Sequence, residues 1–333
     1  MSEVVDKAVE PMTALQAINL ALHDALESDQ DVILFGEDVG DKEGGGVVEV
    51  TKGLSSKFGD QRVRSTPISE QAIIGAAIGA SLAGMKPIAE IMLMNFTTVA
   101  MDMIVNHAAK LRFMSGGRTH VPITIRMMTG AGFANGGQHS DFLEAWFAHT
   151  PGLKVVIPSN PRDAYGLLRS CVDDPDPCLF IEPLGIYWVP GAPPQRGEFV
   201  PLSKANVVRS GEDVSVITYG KQVNDVLAVA DKLKDRVSVE VVDLRTVAPF
   251  DEELVIQSVG KTGRAVIVHE AVRDFGVGAE IATRINEKLF GRLKGPVQRV
   301  CGKFSPVPFS QPLESAFMPT ADEIEAAILG GIA

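Results

Sequence analysis

A single carboxylate opens a run of very small residues in the stretch STPISEQAIIGAAIGASLAG, residues 65–84. Glu70 is the one acid of this stretch, and it is followed by Gly75 and Gly79. At a helix N-terminus a carboxylate complements the helix dipole, and Ser69 is a suitable capping residue. That interpretation explains the acid but not the glycines, because glycine inside a helix costs roughly 1 kcal/mol relative to alanine. The small residues predict a helix that packs closely against another backbone, within this chain or in a second one.

Three further candidate residues follow predicted strands. Glu37 comes after VILFG, Phe96 comes shortly after KPIAEIMLM, and His139 lies in the Gly-rich loop TGAGFANGGQHSD. Ligands of open parallel sheets bind beyond the carboxyl ends of the strands, so we expect these side chains at one edge of a sheet. Plainer interpretations remain open, with Glu37 as a loop acid and Phe96 as a core residue. A set this sparse suggests that a cofactor supplies the chemistry or that half of the site lies on another chain.

Several familiar catalytic signatures are missing from the sequence. There is no GxxxxGK[ST] motif, no GxGxxG after the first strand, no GxSxG and no His/Cys cluster at metal-binding spacing. Cys171, Cys178 and Cys301 form no CxxC pair. The cysteines therefore indicate neither a disulfide framework nor a zinc site.

The composition is that of a globular protein, with 45% hydrophobic and 22% charged residues among 333. A net charge of −11 without a basic stripe argues against nucleic acid as a partner. The most apolar stretch contains Glu90, Asn95 and Asp102, which are costly in lipid, so we expect no membrane partner. The stretch MSEVVDKAVEPMTALQ is acidic and lacks the apolar segment of a secretory signal. We expect a cytoplasmic protein, in the bacterial cytosol or an organelle matrix.

Strands such as VPITIRMM alternate with helical patterns such as MTALQAINLALHDALESD along the first part of the chain. The second part repeats this alternation more compactly, and four prolines and two glycines interrupt it between the two parts, in YWVPGAPPQRGEFVPLSK. The sequence therefore predicts an α/β protein with two doubly wound, mostly parallel-sheet domains. We place the domains at residues 1–188 and 205–333, with residues 189–204 as the linker.

Four blocks of the sequence carry a family resemblance: TPISEQAIIGAAIGASLAGMKPIAEIM, NHAAKLRFMSGG, GGQHSDFLEAWFAHTPGLKVVIPSNPRDAYGLL and VVDLRTVAPFD. They closely resemble the β subunit of the thiamine-diphosphate-dependent 2-oxo acid dehydrogenases, the decarboxylating component of the pyruvate, branched-chain and acetoin complexes. The resemblance covers nearly the whole chain. It implies a pyrimidine-binding domain followed by a transketolase C-terminal-like domain. The implied activity is oxidative decarboxylation of a 2-oxo acid, or acetoin cleavage, with acyl transfer to a lipoyl acyltransferase.

The resemblance also implies roles for individual residues. Glu70 begins the family pattern E-x4-G-x3-G, and its carboxyl group is expected to hydrogen-bond to the aminopyrimidine of thiamine diphosphate and activate the cofactor. Phe96 matches an aromatic residue that stacks on the pyrimidine, and Ile68 matches an apolar cofactor contact. For Glu37 the prediction comes from its position at a strand end and not from the resemblance: it is expected to contact the cofactor and support Glu70. His139 matches a catalytic histidine that lines the substrate channel and assists proton transfer or reductive acylation.

Two features bear on the protonation of this predicted site. Glu70 has to exchange a proton, and apolar surroundings disfavour the charged form of a carboxyl group. Ile68, Ile73 and Ile74 are expected to provide those surroundings. The family usually has His-Ser-Gln in the loop, whereas this chain has Asp141 two residues after His139. A carboxylate beside the histidine would favour the protonated imidazole.

A structural potassium ion is also part of the resemblance, held largely by backbone carbonyl groups. The family usually has asparagine at the last position of the site, where this chain has aspartate. The matching residues are Ile123, Cys171, Val172, Asp174 and Asp176.

The resemblance further implies that this chain works only with a partner. In the family, an α subunit holds the diphosphate and Mg²⁺ through a Gly-Asp-Gly motif. The nearest match here, FGDQRV, has Gln61 in place of the second glycine. We therefore expect a heterotetramer of two α and two β subunits that shares thiamine diphosphate across its interface. The acidic C-terminal helix is expected to face the lipoyl acyltransferase core.

Two alternatives remain open at the level of sequence. One is a subunit of a split transketolase or acyloin-type carboligase, which would keep Glu70 but pass the bound fragment to an aldehyde. The other is a non-catalytic paralogue that has kept only the fold. The presence of both Glu70 and His139 argues against the second alternative.

Overall fold

The computed structural model describes residues 10–331 of the chain. Residues 1–9 and 332–333, which belong to the predicted first and second domains, lie outside the described part. In residues 10–204 the strands are β1 (Met12–Thr13), β2 (Val32–Gly36), β3 (Val63–Ser65), β4 (Lys86–Leu93), β5 (Thr124–Thr129), β6 (Lys154–Val156), β7 (Cys178–Pro183) and β8 (Pro190–Gly191). The α-helices there are α1 (Ala14–Ser28), α2 (Leu54–Phe58), α3 (Glu70–Leu82), α4 (Leu111–Met114), α5 (Glu144–Ala148) and α6 (Pro161–Asp173).

Residues 205–331 form a second, smaller set of elements. The strands are β9 (Asn206–Arg209), β10 (Val214–Thr218), β11 (Val239–Asp243), β12 (Thr246–Ala248), β13 (Ala265–Val272) and β14 (Gln298–Gly302). The helices are α7 (Gln222–Lys232), α8 (Glu252–Thr262), α9 (Val277–Leu289), α10 (Gln311–Phe317) and α11 (Ala321–Gly330).

Two mostly parallel sheets organise the molecule. The larger sheet has the order β12-β6-β7-β5-β4-β2-β3, in which every neighbouring pair is parallel except β12 with β6. The smaller sheet has the order β14-β13-β10-β11-β9, with the edge strand β9 antiparallel. Strands β7, β10 and β11 are buried along their whole length, as expected when helices cover both faces of a sheet. The predicted α/β class with two doubly wound units is confirmed.

The strand β12 crosses the predicted division between the domains. It follows β11 of the second sheet, yet Thr246 and Ala248 pair with Val156 and Val155 of β6 in the first sheet. The segment after β7 also returns to the first domain, since β8 pairs with β1. The domain limits at residues 188 and 205 stay predictions.

The helix α3 begins and packs as its composition indicates. It starts at Glu70 and runs through both glycines to Leu82. Ser69 is in the N-cap position, but its side chain makes no capping hydrogen bond, contrary to the sequence-based expectation. A Cβ atom added at Gly75 would lie 3.6 Å from the sulfur of Met103, so a neighbouring segment packs closely on this face.

The segment between β4 and the end of α4 forms no single continuous helix. A 3₁₀-helix covers Met94–Thr98, a π-helical segment covers Met103–Ala108, and only then does α4 follow. Helix α6 is capped at its start, because the side chain of Asn160 accepts a hydrogen bond from the amide of Asp163. No helix among residues 10–331 is long and apolar enough to cross a membrane.

Candidate active site

The predicted site residues lie at one edge of the larger sheet. Glu37 directly follows β2, Ile68 and Glu70 follow β3, Phe96 lies just after β4, and His139 lies in the loop after β5. These four parallel strands are consecutive neighbours in the order β5-β4-β2-β3, so their carboxyl ends meet along one edge. This is the edge at which doubly wound sheets bind ligands.

Glu37 and Glu70 form a pair of buried acids. Glu70 is 8% exposed and Glu37 is 5% exposed. Burial raises the pKa of Glu37, and the neighbouring charges of Glu70, Asp38 and Glu90 raise it further. The Oε1 atom of Glu37 has no hydrogen-bond partner among the described residues. The site therefore contains a buried carboxyl group with unused hydrogen-bonding capacity beside a second acid.

The approach of β2 to β4 brings Glu37 into this position. A Cβ atom at Gly36 would lie 2.6 Å from the carbonyl oxygen of Glu90, so only glycine fits the end of β2. The side chain of Glu90 turns to Arg126 of β5, whose Nη1 atom donates a hydrogen bond of 2.6 Å. Arg126 also binds Glu182 of β7 through two nitrogens, at 2.7 and 2.9 Å. Glu90, Arg126 and Glu182 thus form an ion cluster next to the paired acids.

Phe96 and His139 contact each other at the other side of the site. Their ring centroids are 5.5 Å apart with an interplanar angle of 77°, an edge-to-face arrangement. The Nδ1 atom of His139 is buried and has no partner in the described part of the chain. This imidazole nitrogen therefore has hydrogen-bonding capacity that a ligand can use.

The sequence predicts that Ile68 shields Glu70 from water, but the structure does not show this. Its side chain is 82% exposed, whereas Ile73 and Ile74 are buried. The apolar surroundings of Glu70 therefore come from the helix α3 and the core beneath it. Ile68 instead presents an apolar surface outward, next to the acids.

Asp141 binds Asn95 instead of pairing with His139. The Nδ2 atom of Asn95 donates to the Asp141 carboxylate at 2.9 Å and to the carbonyl oxygen of Gly137 at 3.1 Å. The backbone amide of Asp141 donates to Asn95 Oδ1 at 3.2 Å. Burial raises the pKa of Asp141, and the Asn95 hydrogen bond opposes this shift. The departure from the family sequence at Asp141 thus fixes the loop and makes no hydrogen bond to the histidine in the described structure.

Two of the predicted potassium residues, Asp174 and Asp176, form ion pairs with protein cations. Lys154 Nζ lies 2.6 Å from Asp174 and 3.5 Å from Asp176, and Arg112 lies 2.5 Å from Asp176. The carbonyl oxygens of Ile123 and Cys171 already accept backbone hydrogen bonds, and Val172 is buried in the core. Lys154 and Arg112 thus already neutralise the two carboxylates, whereas the carbonyl oxygens of Ile123 and Cys171 each keep a second lone pair. The potassium site stays a prediction, and no function is derived from it.

Several residues that hold this site were not assigned to it from the sequence. Arg126 lies inside the predicted strand VPITIRMM, and Asn95 directly follows the predicted strand KPIAEIMLM. Glu270 and Glu314 belong to the second half of the chain. Glu270 accepts a hydrogen bond of 2.6 Å from the amide of Ala131, in the loop that carries His139. A single charged residue in the middle of an otherwise apolar strand, as in TIRMMT, was a signal for the Arg126 cluster.

Two family models match the chain. The model described as "Transketolase, pyrimidine binding domain" matches residues 10–187, and "Transketolase, C-terminal domain" matches residues 203–324. The candidate active site falls within the first match, and Glu270 and Glu314 fall within the second.

Relatives with three different names are similar to nearly the whole chain. The acetoin:2,6-dichlorophenolindophenol oxidoreductase subunit beta of Cupriavidus necator is 45% identical over 93% of this chain and 94% of its own. The pyruvate dehydrogenase E1 component subunit beta of Bacillus subtilis is 44% identical over 94% and 96%. The 3-methyl-2-oxobutanoate dehydrogenase subunit beta of Mycobacterium tuberculosis is 41% identical over 97% and 93%.

A solved structure with the description "Split gene transketolase, inactive beta4 tetramer" has the same fold. Its TM-score is 0.79 over 96% of this chain and 98% of that chain. The sequence identity is 20%, so this likeness concerns the fold alone.

Proposed function

This chain belongs to the transketolase-like β subunits of the thiamine-diphosphate-dependent 2-oxo acid dehydrogenase family, and we propose that its site acts in oxidative decarboxylation of a 2-oxo acid or in acetoin cleavage. The chain is an oxidoreductase subunit. The observation that carries the proposal is the convergence of Glu37, Glu70, Phe96 and His139 at the carboxyl edge of the larger sheet.

The residues present fit an aminopyrimidine cofactor. Glu37 offers an unpartnered buried oxygen, His139 offers an unpartnered ring nitrogen, and the exposed Ile68 and half-buried Phe96 offer apolar contact. We propose that Glu70, Glu37, Ile68 and Phe96 hold the pyrimidine part of thiamine diphosphate. When bound, this cofactor supplies a nucleophilic carbon and an electron sink for decarboxylation.

Each side chain has a proposed task in proton handling or positioning. Glu70 lies out of water, so its carboxyl group transfers a proton to or from the pyrimidine ring as an acid–base group. The negative charge of Glu70 raises the pKa of Glu37, so Glu37 holds a proton more readily than an isolated acid would. His139 exchanges a proton with the substrate side of the site, and the contact with Phe96 orients its ring.

The proposal includes an α subunit that completes the site. The FGDQRV segment does not form a diphosphate-binding site, since the exposed Asp60 forms an ion pair with Lys42 at 2.9 Å. Helix α3 buries its isoleucines but leaves Ala72, Ala76 and Gly79 exposed, as a surface for a second backbone. We propose that the α subunit covers this surface, holds the diphosphate and Mg²⁺, and forms a heterotetramer with two copies of each chain. Acyl transfer to a lipoyl acyltransferase core is the proposed next step.

Substitution of Glu70 tests the proposal. In the enzyme reconstituted with its α subunit, Glu70→Gln keeps the size of the side chain but removes the acid, and turnover of a 2-oxo acid with dichlorophenolindophenol as acceptor is expected to fall about 100-fold or more. Glu253→Gln is the matched control, because Glu253 is an exposed acid in the first turn of α8. Equal turnover in the two variants would reduce Glu70 to a helix-dipole residue and end the proposal.

The acyl substrate is open among pyruvate, branched-chain 2-oxo acids and acetoin. Relatives named for each of these lie between 41% and 45% identity, so identity does not separate them. One methylene in an apolar pocket is worth only about 1–3 kcal/mol. These relatives favour the dehydrogenase interpretation over the split carboligase. A panel of the three substrates with the reconstituted enzyme would identify the preferred one.

A further inference from the structure

The second half of the chain holds the loop of His139 through two buried carboxylates. Glu270 Oε1 accepts from the amide of Ala131 at 2.6 Å, and Glu314 Oε2 accepts from the amide of Ala134 at 3.0 Å. Glu270 lies on β13 and Glu314 on α10, so neither residue belongs to the sheet that carries the site. Two elements distant in sequence thus bind one loop of the other domain.

Both carboxylates are buried, and burial of an acid without a cation costs folding free energy. Glu270 is 6% exposed and Glu314 is 1% exposed, and neither forms an ion pair within 4.0 Å among residues 10–331. Their side-chain hydrogen bonds in the described structure go only to the two loop amides, and Glu314 Oε1 has no partner there. The charges that face Glu270 are those of Lys221, Asp225 and Glu314. Burying a weakly compensated carboxylate disfavours folding, so these acids are not explained by stability. Their hydrogen bonds to the loop amides are the better explanation.

The backbone of the loop requires outside support. Ala134 has φ of 56°, the left-handed region that side-chain-bearing residues rarely adopt. The amide that donates to Glu314 is the amide of this same residue. Strained conformations persist only where surrounding contacts determine them, and they concentrate at functional sites.

Packing from the second domain reinforces the two hydrogen bonds. A Cβ atom at Gly136 would lie 2.4 Å from the ring of Phe309, so the loop and this ring are in direct contact. Ala131 packs in a small buried cluster with Val307 and Phe317. Residues 307–317, called the platform below, therefore pack against residues 131–136 of the loop.

The platform determines the position of the imidazole. The amide of His139 donates to the carbonyl oxygen of Gly136 at 3.1 Å, which joins the turn of His139 to the anchored part of the loop. On its other side the loop is bound by Asn95, and the His139 ring contacts Phe96. His139 is thus held between the two domains.

We propose that Glu270 and Glu314 are positioning residues, which fix the His139 loop through backbone amides and so keep the imidazole beside Phe96. The inference rests on the proposed function for the role of His139. It adds a contribution of the second domain to a site formed by residues of the first.

Paired variants of Glu314 test the inference in the assembled enzyme. Glu314→Ala removes the acceptor of the Ala134 amide, whereas Glu314→Gln keeps one carbonyl acceptor. We expect Glu314→Ala to increase amide hydrogen exchange in peptides covering residues 130–141 and to lower kcat by up to about 100-fold, with a smaller change in KM. Glu314→Gln should recover most of both losses. Glu287→Ala, at an exposed position of α9, is the control and should change neither readout.

Two other variants keep the inference falsifiable if Glu314→Ala fails to fold. Phe309→Ala removes a side chain that is 71% exposed, so it should increase exchange in the loop without loss of the core. Glu270→Leu removes the acceptor of the Ala131 amide but keeps a side chain of similar size, and it should increase exchange at residues 130–133. Unchanged loop exchange in every folded variant would overturn the inference.

The activity of a His139 variant separates this inference from the proposed function. If His139→Ala is inactive, increased loop exchange with unchanged kcat in the Glu314 and Glu270 variants would overturn the positioning role. If His139→Ala keeps full turnover, the proposed role of His139 fails, while loop exchange still decides whether the two acids anchor the loop.

Discussion

Two groups of acids in the larger sheet differ in their surroundings. Glu90 and Glu182 share the buried guanidinium of Arg126, and the hydroxyl of Tyr187 donates to Glu182 as well. Glu37 and Glu70 lie next to this cluster but have no cation within ion-pair distance in the described structure. In the first, closed group both carboxylates bind a cation, although two acids share one guanidinium. The second group is open, and its unmatched charge is available for proton exchange with a ligand.

From this difference we infer a structural role for the acids around Arg126, and we propose a functional role for Glu37 and Glu70. Two hydrogen bonds from Arg126 fix the geometry of the Glu182 carboxylate and oppose the rise in its pKa that burial causes. A buried carboxylate whose nearest charge is another acid has a raised pKa, as at Glu37, and changes its protonation easily. The predictions below either break the closed group or alter the open one.

Breaking the closed group should have the largest effect on stability. Arg126→Leu leaves Glu90 and Glu182 without their cation, and removal of one partner of a buried ion pair costs about 3–5 kcal/mol. The free energy of unfolding from urea titration should fall by this amount. Arg236→Leu is the control, since Arg236 is exposed on the surface. Equal urea midpoints for the two variants would show that the Arg126 cluster is not structurally important.

Altering the open group should affect activity more than stability. Glu37→Gln removes the charge that faces Glu70, and turnover of the reconstituted enzyme should fall about tenfold, less than for loss of Glu70 itself. The free energy of unfolding should stay the same or rise by about 1 kcal/mol, because an unsatisfied buried carboxylate is removed. Thermal melting and steady-state kinetics on the same preparation measure both. A large loss of stability with unchanged turnover would place Glu37 in the structural group.

A third kind of buried acid predicts a pH dependence. Burial raises the pKa of Glu144 from 4.5 to about 7, while a hydrogen bond of 2.6 Å from the hydroxyl of Tyr219 opposes the shift. The group is protonated in the folded chain and ionised in the unfolded chain between these values, so its contribution to stability is complete below pH 4.5 and is lost as the pH rises toward 7.

Glu144→Gln should therefore reduce the fall in unfolding free energy between about pH 5 and pH 7.5 by on the order of 1 kcal/mol. Urea titrations at several pH values measure this change. An identical pH dependence in the wild type and the variant would contradict the prediction. This is the smallest of the three effects.

Much of the site edge could be predicted from local patterns. Glu37, Phe96 and His139 each follow an apolar strand, and the parallel order of those strands brings their loops together. The glycines of α3 indicate a packing surface through their spacing alone. The roles of these side chains remain proposals, since the geometry supports them without testing them.

The remainder of the site depends on contacts between distant residues. Glu270 and Glu314 reach Ala131 and Ala134 across sequence separations of 139 and 180 residues. No periodicity in the sequence encodes such pairs.

The crossing strand β12 has a consequence for how the molecule can be divided. A fragment that ends at residue 204 would lack the partner of β6, and the backbone groups of Val155 and Val156 on that side would be left as an uncovered ladder. An exposed edge strand pairs readily with strands of other molecules. The fragment should therefore self-associate, although it contains every residue of the candidate site. Backbone hydrogen bonds between β12 and β6 thus join the two halves of the chain. A truncated protein would lack these bonds and would not reproduce the intact subunit.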